Sequence, residues 1–430
     1  MTEGRPDGRP DAALDAGELL AAVRAGELSV EEVVVARLAR LHDLDDVTAA
    51  IAAFEDDRAL ADARALDRTR SEGSPLGPLH GLPVTVKDWI DVEGFPCAGE
   101  GGRAIGRRPS VDATVVARLR AAGAVVVAKT RTWDDGAPGG AVLHPLDATR
   151  TPGGSSSGEA VAVAAGASLL GIGSDSGGSI RLPAAWCGVL GFKPTAGRVP
   201  TTGHFPRVGA LSDGRTQIGL LAPDLDTIER VLPVIAGPDG HDAGVAPVPL
   251  GAASEAGLAG RRFSVLVGEG GWAATPEVVA AVETAAAALG AAGLERVEWT
   301  VPWLDLALDI TRRYWGRSQL DGAGVAQQLW DWDRFRRRYL EAVQGIDLLL
   351  TPTVAGVAPR RREVTGEDFV FTLPASLTGS PAISLPAGPG ADGLPLAVQL
   401  IGRPWEDHRV LAASRLLAVT ARVDAPPAGP

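Results

Sequence analysis

Gly173-Ser174-Asp175-Ser176-Gly177-Gly178-Ser179-Ile180-Arg181-Leu182-Pro183 follows an apolar run from Leu169 to Ile172. Two adjacent glycines after such a run let several backbone N–H groups crowd around one anionic atom. A serine closing that turn can attack a carbonyl carbon while those N–H groups face the oxyanion. A second cluster, Gly153-Gly154-Ser155-Ser156-Ser157-Gly158, lies just upstream and leads into an Ala- and Val-rich helix from Glu159 to Ala167. The pair of clusters points to a serine hydrolase that does not need histidine.

Outward from the clusters, helical and strand periodicities alternate. Apolar residues recur at helical spacing over Asp11–Leu44, with Ser29 capping a second helix, and over Ala52–Arg70, Thr114–Ala122, Leu225–Ala236, Pro276–Ala292 and about Asp407–Arg422. Short apolar runs at Leu82–Val86, Val125–Ala128, Val189–Phe192, Phe263–Val267, Ile346–Leu350, Ala382–Leu385 and Leu396–Ile401 read as strands. The alternation predicts an α/β architecture. Residues 1–10 read as disordered. The Pro/Gly-rich joints Ala236–Gly251 and Ala387–Gly393 read as surface loops, so the chain of 430 residues reads as one domain.

A formal net charge of −12 argues against nucleic-acid or anionic-membrane surfaces, which need clustered positive charge. The basic run Arg334 with Arg336-Arg337-Arg338 reads as a helix face. Two cysteines, Cys97 and Cys187, cannot form a disulfide framework or a zinc site, which fits a reducing cytoplasm. Residues 1–10 lack the apolar stretch of a signal peptide, and no run reaches the ~18 apolar residues of a membrane-spanning helix. Five of the ten tryptophans fall between Trp299 and Trp332, a region expected chiefly to pack a helical layer.

Gly154-Ser155-Ser156-Ser157-Gly158 formally matches the G-x-S-x-G nucleophile elbow. That motif demands a strand before it, and Asp147 to Pro152 is polar and ends in proline. None of the six histidines neighbours either cluster in sequence, and no Walker pattern occurs. Lysine is rare: Lys87, Lys129 and Lys193 are the only ones, all in the block that holds the clusters. Arginine can replace a surface lysine but cannot serve as a base near neutral pH. Each lysine closes a predicted strand, so each is a candidate base.

The block from Lys87 to Pro194 resembles the amidase signature family. The likeness is carried by Gly81-Leu82-Pro83-Val84-Thr85-Val86-Lys87-Asp88, Thr151-Pro152-Gly153-Gly154-Ser155-Ser156, Gly173 to Pro183, Cys187-Gly188 and Gly191-Phe192-Lys193-Pro194. Fainter likeness extends to Leu349-Leu350-Thr351-Pro352-Thr353, Leu377 to Ile383 and Gln399-Leu400-Ile401-Gly402. The resemblance implies a large mixed β-sheet of about 11 strands between layers of α-helices. It implies a Ser-cisSer-Lys triad: Ser179 as nucleophile, Ser155 as bridging serine after a cis bond from Gly154, and Lys87 as base. The backbone N–H groups of Ser176, Gly177, Gly178 and Ser179 would form the oxyanion hole, braced by Asp175 and Arg181. For a lysine base, the free pKa of ~10.4 must fall by several units, which burial away from acids achieves. Asp88 is therefore expected to point away from Lys87, and Cys187 to be packing.

The chain departs from the family pattern at Ser157 and Ser176, and in the segments Thr132–Pro145 and Glu363–Phe371, which look shortened. The resemblance implies a cytoplasmic amidase with a small-molecule amide substrate, no metal and no cofactor, and leaves a homodimer open. A neutral, partly hydrophobic acyl group is expected from the Trp-rich middle. The alternatives are the glutaminase subunit of a tRNA-dependent amidotransferase and a catalytically silent scaffold.

Overall fold

The computed structural model describes residues 14–99, 106–132, 142–208, 213–299, 303–361 and 364–418. The expected disorder of residues 1–10, most of the Thr132–Pro145 loop, Glu363 and the end of the last helix lie outside these residues. The strands are β1 (Ile51–Phe54), β2 (Pro83–Lys87), β3 (Val125–Thr130), β4 (Gly171–Asp175), β5 (Leu190–Lys193), β6 (Gln217–Ala222), β7 (Arg262–Val265), β8 (Gly268–Glu269), β9 (Trp272–Ala273), β10 (Glu295–Arg296), β11 (Leu348–Pro352), β12 (Ala382–Pro389) and β13 (Pro395–Gly402). The helices are α1 (Ala16–Ala25), α2 (Val30–Thr48), α3 (Asp56–Ser71), α4 (Thr114–Ala121), α5 (Ser157–Ala164), α6 (Arg181–Cys187), α7 (Leu225–Ile235), α8 (Pro276–Ala291), α9 (Leu304–Trp315), α10 (Gly322–Ala342), α11 (Leu373–Thr378) and α12 (Asp407–Ala418).

Eleven strands form one mixed sheet in the order β1-β3-β2-β4-β6-β5-β12-β13-β11-β7-β10, while β8 and β9 make a separate hairpin. Parallel pairs sit toward both ends, β3-β2-β4 and β11-β7-β10, and the middle from β4 to β11 is antiparallel. Every residue of β2, β3, β4, β5, β6, β11 and β13 is buried. A strand buried throughout has both of its faces covered, so helices and loops enclose the central sheet. The expected α/β fold with a sheet of about 11 strands is the one observed.

Local chemistry sets several helix starts. Asp15 with Glu18 and Ser29 with Glu32 form reciprocal capping boxes on α1 and α2, and Pro276 opens α8 where no N–H is needed. One expectation needs correction. The helix expected over Ala52–Arg70 begins only at Asp56, because Ile51–Phe54 pairs with β3 as an edge strand. Sheet pairing there overrides the helix propensity of Ala52 and Ala53. Strand β6, wedged between β4 and β5, had no counterpart in the sequence reading, whereas α9 and α10 were expected only without bounds, as a helical layer over Trp299–Trp332 and a helix face at Arg334 to Arg338. Trp299, Trp303 and Trp332 pack against a buried cluster that includes Phe335 and Tyr339, as expected of that region, whereas Trp330 is exposed. Among the described residues, no helix is long and apolar enough to cross a membrane.

Candidate active site

Strands β2 and β4 are parallel neighbours, with Val86 opposite Ile172. Their carboxyl ends therefore emerge on the same edge of the sheet, where α/β folds place their chemistry. Lys87 ends β2, and Ser174 and Asp175 end β4. The turn that opens α5 crosses the same edge and brings Ser155, and its Gly154–Ser155 peptide is cis. Lys87 is fully buried. Its Nζ lies 2.6 Å from Ser155 Oγ, 3.1 Å from Ser174 Oγ and 3.5 Å from the Ser174 carbonyl oxygen. The amine end also sits 4.1 Å from the ring centre of Trp89.

The other two lysines are elsewhere. Lys129 Nζ donates to the Asp88 carbonyl at 3.0 Å, and Lys193 Nζ donates to the Pro194 carbonyl at 3.0 Å. Burial lowers the pKa of both, that of Lys193 to about 7. The Asp88 carboxylate accepts from the amides of Ala98 and Gly99, at 3.1 and 2.9 Å. Cys187 is buried, with its Sγ 3.8 Å from the Pro152 carbonyl, and burial raises its thiol pKa.

The Ser176–Ser179 loop is held by its carbonyls. Ser176 O accepts from Arg215 Nε, Gly177 O from Thr372 Oγ1, Gly178 O from Leu182 N and Ser179 O from Ser156 N. The four N–H groups of the same residues donate to no acceptor among the described residues. Gly178 adopts φ +137°, and a Cβ there would run into Thr372 Oγ1, so this turn requires glycine. Below the loop, Arg181 Nε and Nη2 each donate to Asp175 at 3.0 Å, with both side chains fully buried. Burial, the largest single influence, would raise the Asp175 pKa, but the charge and hydrogen bonds of Arg181, the Lys193 charge and the Ile180 amide together hold the carboxyl below its usual range.

Ser155, Ser174, Ser176 and Ser179 line one cavity of about 630 Å³, walled by Trp89, His204, Tyr314, Trp315 and Phe369. The structure thus brings Lys87, Ser155, Ser179 and the glycine loop together. Two further residues at the site were not foreseen. Ser174 Oγ lies 3.0 Å from His204 Nε2, and His204 Nδ1 lies 2.9 Å from the Pro206 carbonyl. A carbonyl only accepts, so Nδ1 carries the proton and Nε2 accepts from the Ser174 hydroxyl. Burial pushes the His204 pKa down to about 4, which keeps the ring neutral. Ser174 stood in the first stretch read, but His204 carries no local signal because a turn 30 residues away delivers it.

Among the described residues, no cluster of three His, Cys, Asp or Glu side chains could hold a metal ion. The family whose pattern matches the sequence is Amidase, over residues 32–320 and 316–411. The chain is 33% identical over 471 residues to a glutamyl-tRNA(Gln) amidotransferase subunit of Symbiobacterium thermophilum, covering 93% of this chain and 95% of that protein. It is 33% identical over 458 residues to a 1-carboxybiuret hydrolase subunit, AtzE, of Pseudomonas sp. (strain ADP), covering 94% and 98%. Its fold superposes on a solved 6-aminohexanoate cyclic dimer hydrolase with TM-score 0.81 at 28% identity, over 96% of this chain and 98% of that one. Sequence pattern, relatives and fold agree along nearly the whole chain, which belongs to the amidase signature family of amide-hydrolysing enzymes.

Proposed function

We propose that this amidase cleaves a carboxylic amide through an acyl-enzyme on Ser179, with Ser155 as proton relay and Lys87 as base. The observation that carries the reading is the 2.6 Å contact of Lys87 Nζ with Ser155 Oγ, beside a cavity that Ser179 shares. A neutral amine has two N–H bonds and one lone pair. The Ser174 hydroxyl donates to His204, so its oxygen accepts from Lys87, and the Ser174 carbonyl can only accept. With N–H groups directed at Ser174, the lone pair of a neutral Lys87 can accept the Ser155 proton over the 2.6 Å contact. The relay requires Lys87 to be neutral when it takes the proton, and its side chain is fully buried.

In the proposed sequence, Ser179 Oγ attacks the carbonyl carbon and passes its proton to Ser155, which passes its own to Lys87. The oxyanion meets the unengaged N–H groups of Ser176 to Ser179. As the C–N bond breaks, the proton returns through Ser155 to the leaving nitrogen. Water then attacks the acyl ester by the same relay, releasing the acid and restoring Ser179. Asp175 and Arg181 act on the loop, not on the substrate. The two buried free thiols fit a reducing compartment, and we assign the enzyme to the cytoplasm with a small-molecule substrate and no nucleic acid.

Ser179→Ala is expected to abolish both turnover and labelling by a fluorophosphonate probe, and Lys87→Ala to abolish turnover where Lys129→Ala does not. Full activity in Ser179→Ala would refute the mechanism. A second reading, an ammonia-supplying component of a larger complex, draws on the name of the Symbiobacterium relative. Turnover of simple amides by the isolated chain favours the first reading. Turnover only with added partner proteins favours the second.

A further inference from the structure

The cavity wall is more polar than a neutral substrate requires. Besides its aromatic residues it presents Arg207 and Arg317, both exposed. Neither forms an ion pair with any acid among the described residues. Arg317 is held in place: its guanidinium stacks 4.2 Å from the Tyr314 ring, and Nη1 donates to the Tyr314 carbonyl at 2.9 Å. The one described acid in the lining, Asp213, is already committed. Its oxygens accept from Arg215 N at 3.0 Å, Thr216 N at 3.0 Å and Thr216 Oγ1 at 2.7 Å, and from the Tyr314 hydroxyl. A third guanidinium, Arg215, lies buried behind the aromatic wall, 4.9 Å from the centre of the Tyr314 ring.

We propose that the amide hydrolysed here carries a carboxylate, bound by Arg207 and Arg317 across the cavity from Ser179. The inference rests on the amidase reading above and names the substrate class of that site. It departs from the neutral acyl group expected from the sequence. A chain with net charge −12 repels anions in general, so a local excess of cations is what admits one. Guanidinium is suited to the task, because its planar fork matches both oxygens of a carboxylate. Trp89, Tyr314, Trp315 and Phe369 would face the uncharged remainder of the substrate.

The test compares amides of matched shape that differ in charge. Succinamate against succinamide and glutaramate against glutaramide place the carboxylate on the acyl side; an N-acylglycine against the N-acylethanolamine places it on the amine side. The charged member of at least one pair is expected to have a kcat/KM roughly ten- to a hundredfold higher, the range of a charge-assisted contact. In Arg207→Gln/Arg317→Gln the ratio should fall toward one, chiefly through KM, and Arg207→Lys/Arg317→Lys should retain part of it. Succinate or glutarate should slow fluorophosphonate labelling of Ser179 in the wild type and not in the double Gln variant, which decides the matter even where no pair turns over. Equal or faster turnover of the neutral members, or labelling indifferent to carboxylates, overturns the proposal and leaves the amidase reading standing. Absence of both labelling and turnover refutes the amidase reading itself.

Discussion

At the scale of single residues, His204 and Ser174 decide how Lys87 is aimed. His204→Gln retains an acceptor where Nε2 now stands and is expected to keep most of kcat. His204→Leu leaves the Ser174 hydroxyl to turn back on Lys87, and kcat should fall roughly ten- to a hundredfold with KM little changed, one to two steps of ~1.4 kcal/mol each. The pH dependence of stability gives an independent reading. The folded pKa of about 4 lies below the ordinary 6.5. The stabilising contribution is therefore complete above about pH 6.5 and is lost as pH falls through about 4, at up to ~1.4 kcal/mol per pH unit. Urea midpoints at pH 7, 5.5 and 4.5 should diverge between wild type and His204→Gln, with the variant flatter, and parallel curves would show that His204 is not buried neutral. The site was readable in sequence where it is local. Ser179 and its glycines, Ser155 and Lys87 each sit in a motif, whereas His204, Arg207 and Arg317 reach the cavity only through the path of the chain.

At the scale of elements, the junction of α5 with β2 and β3 holds the chemistry in register. Glu159, in the first turn of α5, accepts from Thr85 Oγ1 of β2 at 2.5 Å and from Thr130 Oγ1 of β3 at 2.8 Å. Burial pushes its pKa up to about 8, against smaller downward pulls from the two hydroxyls, so it is largely protonated at neutral pH. A folded pKa above the ordinary 4.5 means full stability below about pH 4.5 and a decline as pH rises through about 8. Glu159→Gln keeps the shape and removes the titration. The variant is expected to match wild type near pH 5 and to exceed it in melting temperature by pH 9. A difference that does not change with pH would refute the assignment. Element boundaries were legible where caps or long periodic runs mark them, as at Ser29 and Pro276. Strands β1 and β6 were not, because four to six residues take strand form from the neighbours they pair with and not from their own pattern.

At the scale of the whole molecule, Arg181 fastens the loop to distant parts of the chain. Besides Asp175 it donates to the Thr372 carbonyl at 3.0 Å, Ser376 Oγ at 2.8 Å and Gln399 Oε1 at 2.6 Å. Gln399, on β13, in turn donates to Thr351 Oγ1 on β11 at 2.9 Å and to the Phe371 carbonyl at 3.0 Å. The motif predicts the Asp175–Arg181 pair, but its other partners lie about 190 to 220 residues away and no local pattern announces them. The network joins the strand that carries the loop to the C-terminal strands across the antiparallel middle of the sheet. Asp175→Asn leaves a buried guanidinium without its counter-charge and is expected to cost about 3–5 kcal/mol. Replacing both partners, as in Asp175→Leu/Arg181→Met, removes the uncompensated charge, so stability should recover much of that loss. Activity should not recover, because the loop N–H groups lose the support that aims them. Chemical denaturation and kcat measured on the same three proteins separate the two effects. Wild-type stability in Asp175→Asn would show that the pair does not fasten the halves together, and restored kcat in the double variant would show that the loop keeps its shape without it.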